Sequence, residues 1–375
     1  MEEVFYDFVF LEEDRVFARG GAGEYFEFPN AQLDSFKIYD KTHGIIDWQI
    51  DNMSYKNGKV YSAHGSKGFT IFDVAQQKAI YTRQFYPPVS AFFIKDVAES
   101  ETGKVFLATN YGIFTWNQAQ DTIDWYNESP EMQPTKMLFI NENNIWVGNL
   151  NEGIHRWNGS SWKWYFTHHG LGGNSTYEIA LDSTGIIWAA TSKGLSKFNG
   201  DTTWTNYNAA SGLAGSLTWA VAVDPLNNVW VGTEKGVSYL NRQTNTWRSW
   251  DTSTGLPSNI IESIAISPKG DVVVGTNRGP ARYQGSIKTT GIAAGRYSKA
   301  TGPNLGVHHI GGSTLFTWDK KISAQQIYFY TLNGKLLHSQ KLGSETEYVW
   351  KNLASNVFIV QLKHAGGSIR RMVGG

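Results

Sequence analysis

The sequence predicts an all-β chain, a seven-bladed β-propeller followed by a small C-terminal β-sandwich. Three observations lead there: a unit repeated seven times, an aromatic- and glycine-rich composition, and a change of pattern after residue 286.

The repeat is clearest in Asn144–Gly153, Gly185–Gly194 and Asn228–Gly236, and weaker in Gly58–Gly68 and Gly103–Gly112. Its central position is Phe17, Tyr61, Phe106, Trp146, Trp188, Trp230 and Val273 in turn, spaced 40 to 45 residues apart. A glycine follows six or seven residues later in every copy, where a hairpin turn needs a positive φ. Each unit reads as four short strands, and Gly-Leu pairs at 170, 212 and 255 mark the passage to the next unit. One such sheet cannot bury both faces alone. A ring of them can, with the central aromatics packed between neighbours.

Composition agrees. Aromatic residues make up 14% of the 375, with 15 Trp and 39 Gly, which suits short strands and tight turns. Lys plus Arg equals Asp plus Glu at 33 each, so no basic excess points to nucleic acid. The absence of cysteine removes disulfides, thiolate metal sites and cysteine nucleophiles. No apolar run reaches the length of a membrane span, and the acidic start, Met1-Glu2-Glu3, is unlike a signal peptide. If the protein is exported, a leader has been removed or lies upstream.

The run Ile-Trp-Val-Gly-Thr with a following Gly-Val and Leu-Asn, set between Gly-Leu loops, resembles the two-component-regulator propeller repeat. The resemblance covers roughly 1–286 and is strongest over Asn144–Arg282. It implies a propeller of the kind found in periplasmic sensor regions and in free-standing secreted proteins.

Residues 287–311, rich in Gly, Thr and Ser, read as a linker that includes the pair His308-His309. Over 312–375 the pattern is β again, in the phrases Gln326–Leu337, Asn356–Lys363 and Ser368–Val373, with Asn333-Gly334 as a hairpin signal. These phrases, in this order, resemble the type A sorting domain of the type IX secretion system. Asn356 stands where that family has Gly, and no Asn-Pro pair opens the segment. The resemblance implies the secretion machinery as a partner and a place outside a Gram-negative cell, secreted or on the outer-membrane surface. The alternative is an unrelated sandwich for carbohydrate binding or stability.

No zinc-protease motif, nucleophile elbow or phosphate loop is present, and no cofactor or metal is expected. Aligning the repeats puts Lys95, Lys136, Tyr177, Trp219 and Glu262 at the start of the innermost strands of units three to seven. Variation there is what a ligand site near the central opening needs, although a tolerant surface position varies too. Tyr177 and Trp219 offer faces for sugar rings. His168 and His169 lie in a loop between units. The fourth-strand residues Trp125, Trp164, Trp204, Trp247 and Trp250 recur with the repeat and are read as structural cover. The leading expectation is a non-enzymatic propeller that binds a glycan or surface partner. The alternatives are a polysaccharide lyase using His168 or His169 with Lys136, and a secretion-machinery component of the PorZ type.

Overall fold

The computed structural model describes residues 7–11, 15–20, 23–31, 33, 36–84, 92–283, 287–289, 305–310, 313–318, 324–331, 336–342, 347–351, 358–364 and 367–373. Among these, seven four-stranded antiparallel sheets follow one another from Phe8 to Thr289, each with its strands hydrogen-bonded in chain order. Their first strands are Phe8–Phe10, Asn52–Lys56, Ile94–Glu99, Pro134–Asn141, Thr176–Leu181, Thr218–Val223 and Ile261–Ile266. Each first strand packs beside the next, and the seventh returns to the first, so the sheets close a ring around these strands. Every sheet is built from one continuous stretch of chain; none mixes the two ends of the ring.

The repeated central residues hold the ring together. Phe17, Tyr61, Phe106, Trp146, Trp188, Trp230 and Val273 all lie on second strands and are buried. Trp146 stacks on Tyr165 of its own sheet, with ring centroids 5.6 Å apart, and meets Phe198 of the fifth sheet edge-on at 5.1 Å. Trp230 repeats the arrangement with Trp250 at 5.5 Å and Tyr283 of the seventh sheet at 4.9 Å. Burying one large side chain in this way stabilises by about 1.5–3 kcal/mol.

The turns explain the recurring glycines. Gly194 and Gly236 have φ of 119° and 127°, and a Cβ on either would come within 2.1 or 2.2 Å of the Tyr207 or Trp250 carbonyl oxygen. Thr191 and Thr233 close these turns by donating to the glycine carbonyls at 2.7 and 2.8 Å. The Gly-Leu pairs end short 3-10 turns, after which Leu171, Leu213 and Leu256 are buried between sheets.

The fourth-strand tryptophans divide. Trp204 and Trp250 are buried and Trp247 packs against the core, whereas Trp125 and Trp164 are 56% and 45% exposed. Only the first three serve as cover between sheets.

The remaining strands belong to a second compact unit. It contains a three-stranded sheet of Leu305–Ile310, Ser313–Trp318 and Glu347–Lys351. Its four-stranded sheet has the order Leu336–Lys341, Ala324–Thr331, Phe358–His364, Gly367–Val373. Phe316 of one sheet meets Phe329 of the other at 5.2 Å, and both are buried with Ile327, Val360 and Leu362. The three C-terminal phrases thus supply one sheet. Asn333-Gly334 and Asn356 lie outside the described residues.

Two segments read as linker are strands instead. Ile287–Thr289 pairs with Ala281–Tyr283 as the outer strand of the seventh sheet. Leu305–Ile310, which carries His308 and His309, pairs with Ser313–Trp318. Their sequences are too short and too rich in Gly neighbours to show a strand period alone. No helix among the described residues is long and apolar enough to cross a membrane.

Trp188 is 1% exposed, whereas Trp219 is half-buried at the start of the neighbouring sheet. Trp188→Ala is expected to cost about 3–5 kcal/mol in denaturant unfolding, and Trp219→Ala no more than about 1–2 kcal/mol. Equal losses would place Trp219 in the core.

Candidate functional site

The first strands of sheets three to seven share an irregularity that aims side chains at one end of the ring. In sheet three, Thr109 pairs with Ile94 and Ala108 with Asp96, which leaves Lys95 as an extra residue. The same shift leaves Thr135, Tyr177, Trp219 and Glu262 unpaired in the next four sheets. Such bulges bend the strand and redirect the side chain.

This register corrects one sequence alignment. Lys136 does not correspond to Lys95; Thr135 does. Lys136 pairs with Gly148, as Asp96 pairs with Ala108 and Glu178 with Ala190. Lys95, Tyr177, Trp219 and Glu262 each stand eleven residues before their central residue and Lys136 only ten, so the offset was readable from spacing.

The corrected position forms a layer around the ring: Asn52, Asp96, Lys136, Glu178, Ala220 and Ser263 in sheets two to seven. In sheet one it is Asp7, whose carbonyl accepts from the Arg19 amide at 3.2 Å. Opposite these stand Ala63, Ala108, Gly148, Ala190, Gly232 and Gly275, with Arg19 the one large exception.

Lys136 lies 3.8 Å from the Asp96 carboxylate and donates to Asn52 Oδ1 at 3.3 Å. Burial pulls the Lys136 ammonium pKa down, but the Asp96, Glu178 and Asp7 carboxylates outweigh it, and the ammonium stays charged. Asp96 is raised by its burial, against Lys136 and the amides of Met137 and Val97, both at 2.9 Å. Glu178 is pushed up to about 7 by burial, against the pull of Lys136. Glu262 is raised by burial against Arg19, and its Oε2 has no hydrogen-bond partner among the described residues.

A pocket of about 480 Å³ opens on the end of the ring that carries the turns and connections of sheets two to four. Asp51, Asn52, Lys95, Asn110, Gln133 and Thr135 line it with Phe93, Pro134 and Leu150. Asn52 seals its floor, its Nδ2 donating to the Lys95 carbonyl at 2.9 Å and the Thr135 carbonyl at 2.8 Å, which ties three sheets together. Lys95 Nζ pairs with Asp51 at 2.7 Å. Asn110 accepts from the Phe93 amide at 2.7 Å and so fixes the wall that carries Phe93. Phe93 and Leu150 stay 43% and 42% exposed.

Of the sequence candidates, Lys95 lines the pocket and Lys136 lies beneath it through Asn52. Tyr177, Trp219 and Glu262 are half-buried bulge residues of sheets five to seven and are not among the lining residues. His169 Nδ1 accepts from the Phe166 amide at 3.1 Å, closing its short turn, and His168 stacks on the Phe166 ring at 5.4 Å. His43 and Thr254 close the equivalent turns, so this histidine pair belongs to the connection. The polar partners of Lys136 are Asn52 and Asp96, and no contact among the described residues joins it to His168 or His169. No three His, Asp or Glu among the described residues are placed to hold a metal ion.

Asp51 and Gln133 went unnoticed in the sequence because they lie in connections of unequal length, and Asn52 and Asn110 because one begins a strand and the other sits in a hairpin turn, where neither stands out from the repeat. Glu178 follows Tyr177 and could have been found by the ten-residue offset.

No protein-family model matches the chain, and no curated protein matches it in sequence. Solved structures match its fold. It is similar to the extracellular domain assigned to the hybrid two-component system BT3049 of B. thetaiotaomicron, with 13% identity and a TM-score of 0.63 over 100% of this chain and 55% of that one. It is similar to PorZ, a surface component of the type IX secretion system of Porphyromonas gingivalis, with 16% identity and a TM-score of 0.59 over 99% and 59%. A streptogramin B lyase matches with 13% identity and a TM-score of 0.60 over 75% of this chain and 94% of that one. The fold is a β-propeller. The chain spans little more than half the length of the first two structures.

The buried groups predict a pH signature. Burial lowers His64 and His155 to about 4, from 6.5, so stability drops as the pH falls from 6.5 to 4 and the unfolded chain takes up protons that the folded rings refuse. Glu178 works the other way. Raised from 4.5 to about 7, it holds a proton that the unfolded chain has released, and its contribution is lost as pH rises from 4.5 to 7. Glu178→Gln removes this opposition, so stability should climb more steeply than in the parent across that interval, by up to about 3 kcal/mol. Denaturant midpoints measured against pH check this; parallel curves would refute it.

Proposed function

We propose that the chain is a secreted or surface-exposed binding propeller that holds a glycan in the pocket between sheets two and four. The observation that supports this reading is the pocket itself. A closed floor, a lysine–carboxylate pair and an amide side chain face an exposed aromatic wall, a combination suited to hydroxyl groups on a flat ring. Tyr177, Trp219 and Glu262, the bulge residues of sheets five to seven, are proposed as further contacts for the ligand. The last unit is proposed as the sorting domain that takes the protein out through the type IX machinery, on the order of its three β phrases.

Binding is preferred over a lyase reaction because the base proposed for one, His168 or His169, is engaged in its own turn and not brought to Lys136. A PorZ-like role in the secretion machinery is the second reading. It is favoured by a likeness to PorZ that runs over 99% of this chain, the last unit included.

On a glycan array the wild-type protein should bind a subset of oligosaccharides. Lys95→Ala with Gln133→Ala should weaken that binding by about tenfold or more, at unchanged thermal stability. Absence of any bound glycan would overturn the reading. For export, a chain ending at Thr289 should fold yet stay in the periplasm of a host with type IX secretion. Its appearance outside the cell at the full-length level would contradict the sorting assignment.

A further inference from the structure

The pocket does not end at Lys95. The turn of sheet two brings Gly65 against both Asp51 and Phe93, with 3.0 Å and 3.6 Å from its Cβ position. The same turn also meets Trp48, in the connection between sheets one and two, through His64 and Lys67. Its ring is 49% exposed and carries Lys67 Nζ over it at 5.0 Å from the centroid. Its backbone is anchored. The Trp48 amide donates to the Ile46 carbonyl at 2.8 Å, its carbonyl faces His64 Nδ1 at 3.3 Å, and Gly23 approaches so closely that a Cβ there would lie 2.5 Å from that carbonyl. A large, half-exposed aromatic ring is therefore carried on a fixed backbone beside the turn that borders the pocket, where a ligand can stack on it in place of the Lys67 side chain.

Charge narrows the ligand. Lys95 and Lys136 are already paired with Asp51 and Asp96, and Glu152 stands at the rim, where it accepts from the Gln133 amide at 3.2 Å. Within the pocket an acidic sugar would meet carboxylates and cations that are already paired, whereas hydroxyl groups can share the remaining lone pairs and ammonium protons; the cation beyond it, Lys67, lies over the Trp48 ring.

We infer that the occupant is an uncharged oligosaccharide longer than the pocket, seated between Phe93 and Lys95 and running past Asp51 to stack on Trp48. This rests on the glycan-binding reading above and adds a second subsite and a charge class to it.

Calorimetric titration with cello-, xylo-, manno- and malto-oligosaccharides, from disaccharide to hexasaccharide, tests it, with oligogalacturonates of equal length as the charged counterpart. Trp48→Ala should weaken the hexasaccharide of the preferred series by about tenfold and leave the disaccharide unchanged. Trp48→Phe should restore part of the loss, and Gln133→Ala should weaken both lengths. Equal effects of Trp48→Ala on both lengths, no effect on either, or tighter binding of oligogalacturonate would overturn the inference while leaving the pocket reading in place. Failure of every oligosaccharide to bind the wild-type protein, or binding of peptides instead, would overturn both.

Discussion

The gap between neighbouring sheets tapers along the second strand, and the rest of the structure follows from that taper. Trp146 and Trp230 fill its wide part against Phe198 and Tyr283. Two residues further on, on the same side, stand Gly148 and Gly232. A Cβ there would lie 3.0 Å from Thr176 Cγ2 and 2.7 Å from Ile261 Cγ2, both on the first strand of the following sheet. Large residues at one level and almost nothing at the next are the two requirements for closing a ring of twisted sheets without voids. The repeat encodes both in three consecutive positions.

The same crowding shapes the site. Where the first strands converge, each of five sheets inserts a bulge residue, and the residue after it enters the inner layer. That layer holds Asp96, Lys136 and Glu178 side by side. Buried charges are tolerable there because Lys136 is attracted by the carboxylates of both Asp96 and Glu178 and donates a hydrogen bond to Asn52. Asn52 also builds the pocket, because its two donor bonds fix the Lys95 and Thr135 backbones that line it.

The repeat, the central aromatics and the turn glycines were legible in the sequence because each answers a local requirement that recurs every unit. Buried packing demanded Trp188, and a positive φ under a neighbouring carbonyl demanded Gly194. The inner layer was less legible. A bulge moves the period by one residue, so Lys136 was matched with Lys95 when Thr135 was its counterpart. His168 and His169 stood out by their chemistry, yet the structure gives His169 the role that His43 and Thr254 fill elsewhere. Asp51 and Gln133 come from two connections and Asn110 from a hairpin turn of sheet three, and only the closed ring brings them to one pocket.

The central claim is that a glycan is held on the end of the ring between sheets two and four. A crystal structure of the protein soaked with the preferred oligosaccharide of the array tests it most directly. In that structure a sugar ring should lie against Phe93 with its hydroxyl groups on Lys95, Asp51 and Gln133. A ligand seated on the outer strands at Trp125 and Trp164 instead, with the pocket holding only water, would contradict it.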